Sequence, residues 1–555
     1  MKRLSALILL VSLAALPTGV SAQSRATSPV LPETVLIRNV TLIDQEGETD
    51  DVVVHVLIRD NKIDVVTKDE IAADTAELAL NAQQGILLGN LEPGEPPSFI
   101  ILSRDPRKDF AVLLDTATYA RFAVHDGKIV RNRLPRAYDF GQKPRRSGWL
   151  AYSPPPLSLP SSYQDTSKWN RWETKPVSGL FFGALALDRQ NWQSQDGNSV
   201  AQVGDLDAFD GGAIRGLRFG AVGTLNFRQP WVYTVSAETN AFDKGFDTDV
   251  DDDWTFLDWR VDIPTFAGTT LSIGKQKEPV SMARTMGMIY LPMQERAAVT
   301  DALLPARNVG IVLSGGAFDQ RMTWAGGVFN DWLDTDDSFS DGANQFVGRV
   351  TGLPFVSADE SNLLHLGIGL RYSDANEGLR YGTEPEFNES PVFVDTGDPD
   401  TPGGFAANSS LTYNLEASWR RGPIWLLGEY THNDVDAPDV GNPDFTGYYV
   451  TGSWALTGEM RGYNRQSGIF NPLPVAQSVY RGGWGAWELA ARWSAIDLTD
   501  GLVEGGEMEI VSLGLNWWLS PIFNVNLNYR WITLDRFGGE GDSRGFNSRI
   551  VLLLE

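Results

Sequence analysis

Residues Leu513 to Trp531 read LGLNWWLSPIFNVNLNYRW and contain two strand-like runs that meet at Ser520-Pro521. In the second run, apolar or aromatic side chains alternate with asparagine and arginine. The apolar set is Phe523, Val525, Leu527, Tyr529 and Trp531. A period of two residues puts successive side chains on opposite faces of a β-strand. The stretch therefore predicts a β-hairpin with one apolar face and one hydrogen-bonding face.

The same alternation recurs through the later part of the chain, at 217–227, 364–372, 413–420 and 487–494. In a soluble sandwich the apolar face would form the core, whereas in a membrane barrel it meets lipid and the polar face lines water. Aromatic residues favour the barrel, because they gather at strand ends, where a membrane-interface girdle belongs. They are Trp419, Trp493, Trp517, Tyr529 and Trp531. The pattern predicts an all-β fold, a transmembrane antiparallel β-barrel of about 16 strands, with about 18 as the open alternative.

Composition narrows the class of protein. The 555 residues include no cysteine and carry a formal net charge of −25. Because so acidic a chain is unsuited to nucleic acid, we expect no nucleic-acid partner. An exported chain without disulfides can be stabilised instead by a closed ladder of strands. The aromatic content of 11% suits an outer-membrane barrel better than a soluble enzyme.

The chain opens with the features of a secretory signal peptide. Met1-Lys2-Arg3 is basic, the run from Leu4 to Leu16 is apolar, and Val20-Ser21-Ala22 offers a small-residue cleavage site. We expect residues 1–22 to be removed on export. No later segment has the roughly eighteen consecutive apolar residues that a membrane-spanning helix needs, so a helical membrane protein is not expected.

Residues 23–131 are predicted to form a small β-rich periplasmic domain, preceding the barrel. Its β-branched runs lie at 35–44, 52–66, 98–106 and 119–130. Asp126-Gly127 in the last run is a hairpin turn signal. With Gly85 to Gly94 and His125 to Lys128, these runs resemble the small β domain of the amidohydrolase superfamily. Only about twenty residues separate the two halves of this resemblance, which leaves no room for the catalytic (β/α)8 barrel of those enzymes.

The histidine content argues against an enzyme. A hydrolytic metal site of the amidohydrolase type needs several histidines with carboxylates around the metal. The chain has four histidines and no H-x-H pair: His55, His125, His365 and His432. No G-x-S-x-G, P-loop or strand-following G-x-G-x-x-G motif occurs either. We predict no catalytic residue, metal site or cofactor, and interpret the small domain as a binding, spacer or assembly module. A membrane-tethered amidohydrolase-like enzyme is the alternative from another class.

A proline-rich linker is predicted at 132–171, because the prolines of AYSPPPLSLPSSY favour extended polyproline geometry. The barrel should then occupy residues 172–555. Its connections differ in length: Ser520-Pro521 and Arg421-Gly422-Pro423 are short, and 374–410 is long and acidic. Short turns at one end and long loops at the other are the outer-membrane arrangement.

One connection inside the barrel region is unusually long. About thirty residues without a sustained apolar period lie between a run ending at Ile273 and one beginning at Val309. Such a connection in a compact domain usually lines or covers a site, although a solvated surface loop is the alternative. It contains three boxes: Gly274-Lys275-Gln276-Lys277-Glu278-Pro279, Glu295-Arg296 and Pro305-Ala306-Arg307-Asn308-Val309-Gly310.

In residue order these boxes resemble the constriction loop of the phosphate-selective porin O/P family, and the resemblance extends over residues 172–555. It implies a trimeric anion channel in the bacterial outer membrane, surrounded by lipid and lipopolysaccharide, with small anions such as phosphate or polyphosphate as solutes. It also implies an infolded loop with anion-binding basic residues at the narrowest point. The candidates are Lys275, Lys277, Arg284, Arg296 and Arg307. Alternation alone would aim Lys275 and Lys277 at lipid unless they lie above the hydrocarbon or the chain bends at Gly274.

Strand register predicts which charged residues line the lumen. The arginines are Arg218, Arg260, Arg321, Arg349, Arg371, Arg420, Arg492 and Arg530. The opposing carboxylates are Asp258, Asp262, Glu416 and Glu488. Repeated guanidinium groups would give an anion successive bidentate partners; alternatively, these arginines and carboxylates pair structurally across strands. We predict a porin that passes small anions by diffusion, with a general porin or a channel specific for another solute as alternatives.

Overall fold

The computed structural model describes residues 33–42, 51–71, 75–76, 78–107, 111–114, 119–132, 134, 170–174, 176–227, 229–239, 254–318, 320–330, 343–357, 361–375, 378–397, 404–476 and 478–554. The predicted signal peptide and nearly all of the predicted linker lie outside these segments, so the predicted domain boundaries stay predictions. The chain divides into two compact units: residues 1–101 with 121–137, and residues 102–120 with 138–555. Among the described residues, no helix is long and apolar enough to cross a membrane.

The first unit is built on a seven-stranded sheet. Its strands are β1 (Thr34–Leu42), β2 (Val52–Arg59), β3 (Lys62–Thr67), β4 (Leu78–Asn90), β5 (Ser98–Leu102), β6 (Ala120–His125) and β7 (Lys128–Asn132); a single turn, α1 (Ala111–Leu114), precedes β6. The order is β3-β2-β1-β4-β5-β6-β7, and β1 is antiparallel to β2 and parallel to β4. The β-branched runs supply its core, including Val35, Val56 and Phe122. The predicted hairpin is confirmed: Asp126 and Gly127 join β6 to β7 with φ angles of 48° and 69°.

The second unit is dominated by a closed barrel. Its strands are β8 (Arg171–Glu173), β9 (Val177–Gln195), β10 (Gly211–Leu225), β11 (Trp231–Thr239), β12 (Thr255–Pro264), β13 (Thr270–Gln276), β14 (Asn308–Ala317), β15 (Met322–Asn330), β16 (Asn344–Val356), β17 (Asn362–Asp374), β18 (Gly382–Thr383), β19 (Val394–Asp395), β20 (Ser409–Arg421), β21 (Ile424–Asp436), β22 (Asp444–Ala455), β23 (Tyr463–Asn464), β24 (Ile469–Phe470), β25 (Ala486–Asp500), β26 (Val503–Ser520), β27 (Phe523–Asp535) and β28 (Glu540–Leu554). The helices are α2 (Gly197–Val203), α3 (Met282–Thr285) and α4 (Ala298–Leu303).

In the described chain, sixteen long strands form the barrel wall, which confirms the predicted count. They are β9–β17, β20–β22 and β25–β28, and each is antiparallel to its neighbours. The ring closes where β28 pairs with β9, from Ser543 opposite Gln195 to Leu554 opposite Gly183. The short β8 pairs with the start of β9.

The outer face of the wall carries the apolar side chains that the alternation predicts. Many large apolar side chains there are exposed, as expected for a surface that meets lipid. Examples are Phe219, Ile273, Ile311, Leu370 and Leu513. Near the short-turn end of the wall, the Trp487 and Trp517 rings stack with centroids 5.0 Å apart, and both indoles donate to the carbonyl oxygen of Trp484. These contacts fit an interfacial aromatic girdle.

The interior departs from the prediction of a water-filled barrel. A buried apolar cluster inside it includes Met282, Val299, Phe387, Trp425 and Phe445. The cluster joins the inner face of β21 and β22 to segments that fold inward from the connections. Part of the lumen is therefore packed protein.

Two of these inward segments define the interior. We call residues 277–307, which connect β13 to β14 at the long-loop end, the strap, and residues 456–485, which connect β22 to β25 at the other end, the turn-side segment. The strap carries α3 and α4, and the turn-side segment carries β23 and β24. The prediction that connections at the turn end are short is wrong for the turn-side segment, whose sequence lacks the periodicity that marks a strand.

Candidate functional site

The strap follows directly on β13, and Gly274 lies in that strand just before it. Gly274 has a φ of +126°, and a Cβ at this position would lie 2.0 Å from the carbonyl oxygen of Trp259 on β12, so a side chain is sterically excluded. Beyond the strand, the Lys277 ammonium donates to the carbonyl oxygens of Arg284 at 2.8 Å and Met286 at 2.9 Å. The G-K-x-K-x-P box therefore allows β12 and β13 to approach closely and fixes the first part of the strap.

The strap is first anchored by two buried glutamates. One lies on the strap and bonds to β17, and the other lies on β21 and bonds to the strap. Glu278, on the strap, accepts from Arg371 Nε of β17 at 2.8 Å. Glu429, on β21, accepts from Ser281 Oγ at 3.0 Å and from the backbone N–H of Met282 at 2.7 Å. The second bond satisfies an N–H at the start of α3 that has no partner within the helix.

The second anchor is Glu295, from the E-R box. Its carboxylate accepts two bonds from Arg215 of β10, at 2.8 Å and 2.9 Å, and another from Arg549 of β28. Arg549 also binds Asp188 of β9 through two bonds, at 2.6 Å and 2.7 Å. Burial alone would raise the pKa of Glu295, but Arg215 and Arg549 outweigh it and hold this pKa well below its usual range.

The third anchor comes from the loop between β17 and β20. Glu386 in this loop accepts from the backbone N–H of Ala298 at 3.2 Å, where α4 begins, and from Ser494 Oγ of β25 at 2.7 Å. Arg492 of β25 also donates to Glu386. The strap starts and ends at neighbouring strands, β13 and β14, yet its anchors lie on β10, β17, β21, β25 and β28. It therefore crosses the lumen.

Arg284 and Arg296 lie inside the strap and do not line open space. They are 0% and 1% exposed. Arg284 donates to the carbonyl oxygen of Leu304, and Arg296 to that of Met286, each at 2.9 Å. In the folded chain these guanidinium groups satisfy the strap's own carbonyl groups. The anion-binding role predicted for them stays a prediction.

Two further predicted site residues lie away from the lumen. Lys275 belongs to β13 itself, opposite Val309 of β14, and shares the outer face with the exposed Ile273. Alternation thus continues through Gly274. Arg321 is exposed in the tight turn between β14 and β15, where its backbone N–H donates to the carbonyl oxygen of Phe318 at 3.1 Å. Strand register does not apply to a turn residue, which is why its predicted position is wrong.

Three other predicted lumen arginines are buried: Arg420, Arg492 and Arg530. Arg420 donates to the carbonyl oxygen of Arg461 in the turn-side segment at 2.5 Å. Arg492 donates to the carbonyl oxygen of Glu295 at 2.8 Å. Arg530 is 0% exposed. Their geometry corresponds to the structural alternative, in which lumen arginines hold the protein together.

A cavity of about 370 Å³ remains between the strap and the wall formed by β9–β16. Its lining contains five cationic side chains and two carboxylates. The cations are Arg218, Arg260, Lys277, Arg307 and Arg349, and the carboxylates are Asp258 and Asp262. This cavity is the candidate functional site, because it brings together cationic residues from the predicted strap set and from the predicted lumen set.

Positive side chains outnumber carboxylates in the lining of this cavity. Asp258 accepts from Arg218 Nη2 at 2.6 Å and from Arg307 Nε at 2.9 Å, so one carboxylate serves two guanidinium groups. Arg260 Nε lies 3.2 Å from Asp262 Oδ1. The side chains of Arg218 and Arg260 remain 25% and 21% exposed. An excess of partly exposed positive charge therefore faces the cavity.

Arg349 connects the cavity wall to the turn-side segment. It donates to Glu416 at 2.7 Å and to the carbonyl oxygen of Ser467 at 3.0 Å. Glu416 is also 2.8 Å from His365 Nε2, and His365 Nδ1 is 2.7 Å from the Tyr463 hydroxyl. Burial raises the pKa of Tyr463, so its hydroxyl keeps its proton for this bond. The turn-side segment is thus held inside the barrel and lines the cavity on that side.

Sequence reasoning missed several residues that hold this arrangement. Arg215 lies at a register shift in β10, where a bulge breaks the alternation that would have pointed to it. Arg461 and Glu386 lie in connections that have no period to read. Arg549 is the one with a usable signal, because it lies two residues after Asn547 and so shares its face of β28.

The sequence profile of phosphate-selective porin O and P matches residues 189–540, which is more than half of the chain. This chain belongs to that family. The match includes the strap and every anchor described above except Asp188 and Arg549. This porin is accordingly an outer-membrane barrel protein.

This porin is also similar to individual proteins. It is 27% identical over 249 residues to Porin O of Pseudomonas aeruginosa, covering 39% of this chain and 55% of that protein. It is 27% identical over 275 residues to an uncharacterised protein of Caulobacter vibrioides, covering 47% and 52%. The chain thus spans about half the length of these curated relatives.

Among solved structures, the anion-selective porin from Comamonas acidovorans aligns at 14% identity and a TM-score of 0.42, over 68% of this chain and all of that one (100%). OmpT of Vibrio cholerae aligns at 11% identity and a TM-score of 0.42, over 69% and 99%.

Proposed function

We propose that this porin passes small anions by diffusion, and that the conducting passage is the cavity between the strap and β9–β16. The observation that carries the proposal is the imbalance of five cationic side chains against two carboxylates around that cavity. Ion selectivity in a pore follows the sign of the charge at its narrowest part, where low-dielectric walls strengthen the field. Membership of a porin family supports the same function.

In this proposal the strap narrows the passage, and Lys277 and Arg307 are its contribution to the charge. Arg218, Arg260 and Arg349 supply the opposing wall. The partly exposed Arg218 and Arg260 are the groups that meet a passing anion. Phosphate or polyphosphate as the preferred solute is a narrower proposal that rests on the family description alone.

The test is the reversal potential of the purified protein in a planar bilayer across a salt gradient. The expected result is anion selectivity, which Arg218→Gln with Arg260→Gln should weaken. Arg189→Gln is the matched control, because Arg189 is an exposed arginine on the outer face of β9. Cation selectivity of the unmodified channel would overturn the proposal and leave a general porin governed by its acidic loops. Added phosphate, in the same experiment, tests the narrower proposal.

Three expectations about the whole protein accompany this one. We propose a homotrimer, as the family resemblance implies, and the native mass of the detergent-purified protein tests it. We also propose that the apolar belt contacts outer-membrane lipid and lipopolysaccharide. Finally, we place the N-terminal unit in the periplasm, because β9 starts at the short-turn end of the barrel and short turns face the periplasm in such barrels. Protease access in intact cells tests that placement.

A further inference from the structure

The cavity beside the strap has an apolar part as well as a cationic one. Its lining includes Phe182, Met288, Ile289, Tyr290 and Leu553. Met288 and Leu553 belong to one buried apolar cluster inside the barrel, and Ile289 and Tyr290 pack against it. The Arg218 guanidinium carbon lies 5.4 Å from the centre of the Phe182 ring, so the cationic and apolar parts adjoin.

Two buried polar atoms in the lining have no hydrogen-bond partner among the described residues. They are Arg218 Nε and Thr234 Oγ1. Thr234 is 9% exposed and lies directly opposite Arg260 in the pairing of β11 with β12. Buried polar groups in native proteins are normally satisfied, so unpaired donors beside a cavity indicate a missing acceptor. Both can donate, and a carboxylate is the acceptor that guanidinium and hydroxyl groups bind well.

We propose that this cavity binds organic anions that carry one carboxylate on an apolar body, in preference to inorganic phosphate. The inference rests on the proposed anion passage and names its solute class. Inorganic phosphate presents oxygen atoms on every side, and those facing the apolar part would lose water without gaining a partner. A monocarboxylate has its charge at one end, and its apolar body gains from leaving water. The cavity volume of about 370 Å³ lies within the usual range for small-molecule sites.

The first experiment uses the unmodified full-length protein in planar bilayers. Block of the chloride current is measured for acetate, butyrate, hexanoate, benzoate and inorganic phosphate. Affinity should rise along the aliphatic series by about fourfold per methylene, which corresponds to roughly 0.8 kcal/mol for each buried methylene. Benzoate should block at lower concentration than phosphate. A flat aliphatic series, or phosphate as the tightest blocker, would overturn the assignment.

Variants then separate the two parts of the site. Ile289→Asn should weaken block by benzoate by about tenfold with little change for phosphate, because it removes apolar contact only. Arg260→Gln should weaken block by both anions, and the outer-face variant Arg189→Gln should change neither. An Ile289→Asn channel that conducts chloride and binds benzoate as before would contradict the proposal. If that variant does not fold, the aliphatic series on the unmodified protein remains decisive.

The same data distinguish the failure of each proposal. An anion-selective channel with a flat aliphatic series retains the proposed passage and loses the organic-anion site. A cation-selective channel that benzoate still blocks retains the site and loses the proposed passage.

Discussion

Replacing Glu295 with glutamine should loosen the strap. The side chain of Arg215 is 1% exposed and that of Glu295 is 7% exposed, so this ion pair is almost completely shielded from water. Glutamine keeps the shape but removes the charge, which leaves Arg215 buried opposite a neutral group. Arg549 keeps Asp188. Removing one partner of a buried ion pair costs about 3–5 kcal/mol. If that cost falls on the docked strap, the undocked population rises by a factor of roughly 150 or more.

The assay is single-channel recording in planar bilayers, with open-channel noise and mean conductance as readouts. Glu295→Gln should be noisier and pass more current, because the strap leaves the lumen part of the time. Arg215→Met combined with Glu295→Gln should recover most of the quiet behaviour, since the uncompensated buried charge is gone. Glu504→Gln, an exposed site on β26, controls for loss of one negative charge. The reasoning is refuted if Glu295→Gln folds normally and its current trace matches that of the unmodified channel.

Two further predictions concern the strap. The pKa of Glu295 is lower in the folded protein than in the unfolded chain, where it is about 4.3. Its pairing therefore stabilises the docked strap fully above the unfolded pKa. This stabilisation is lost only as the pH falls through the lower, folded-state pKa. The noise difference between the unmodified channel and Glu295→Gln should therefore persist from pH 7 to pH 4; its disappearance near the ordinary glutamate pKa would contradict the assignment. Gly274→Ala should lower the unfolding temperature of the barrel and disturb the strap, because a Cβ would meet the Trp259 carbonyl oxygen at 2.0 Å and φ is +126°. Gly326→Ala is the control, since its Cβ would meet no atom closer than 3.9 Å. Equal unfolding temperatures for the two variants would show that position 274 tolerates a side chain.

The barrel could be predicted from sequence alone, because apolar and polar residues alternate periodically in its strands. Alternating faces and aromatic strand ends repeat in strand after strand, so errors at individual positions average out. The same period assigned Arg218, Arg260 and Arg349 to the inner face, and all three line the cavity. It could not show that Asp258 would be shared between Arg218 and Arg307, since that depends on how three segments meet in space.

The positions of the basic side chains in the strap could not be predicted from sequence, for physical reasons. An irregular connection has no period, and a basic residue in it can face solvent, a carboxylate or the chain's own carbonyl groups. Charge excess suggested that Arg284 and Arg296 were available to anions, whereas burial directs them into the strap. The three boxes were nevertheless informative. Gly274 allows β12 to lie close to β13, Lys277 bonds to carbonyl oxygens within the strap, and Glu295 anchors the strap to the barrel wall.

The Glu295 anchor also has a consequence for biogenesis. Its partner Arg549 is bonded to Asp188, which lies 361 residues earlier in the chain, and this pair sits at the junction where the ring of strands is sealed. Contacts between such distant points form late, because the chain must first lose the entropy of closing a very long loop. Until that junction forms, Glu295 lacks Arg549, and this anchor of the strap is incomplete. Full docking of the strap therefore coincides with the last step of assembly, and an incompletely sealed molecule would hold the strap less firmly inside the barrel.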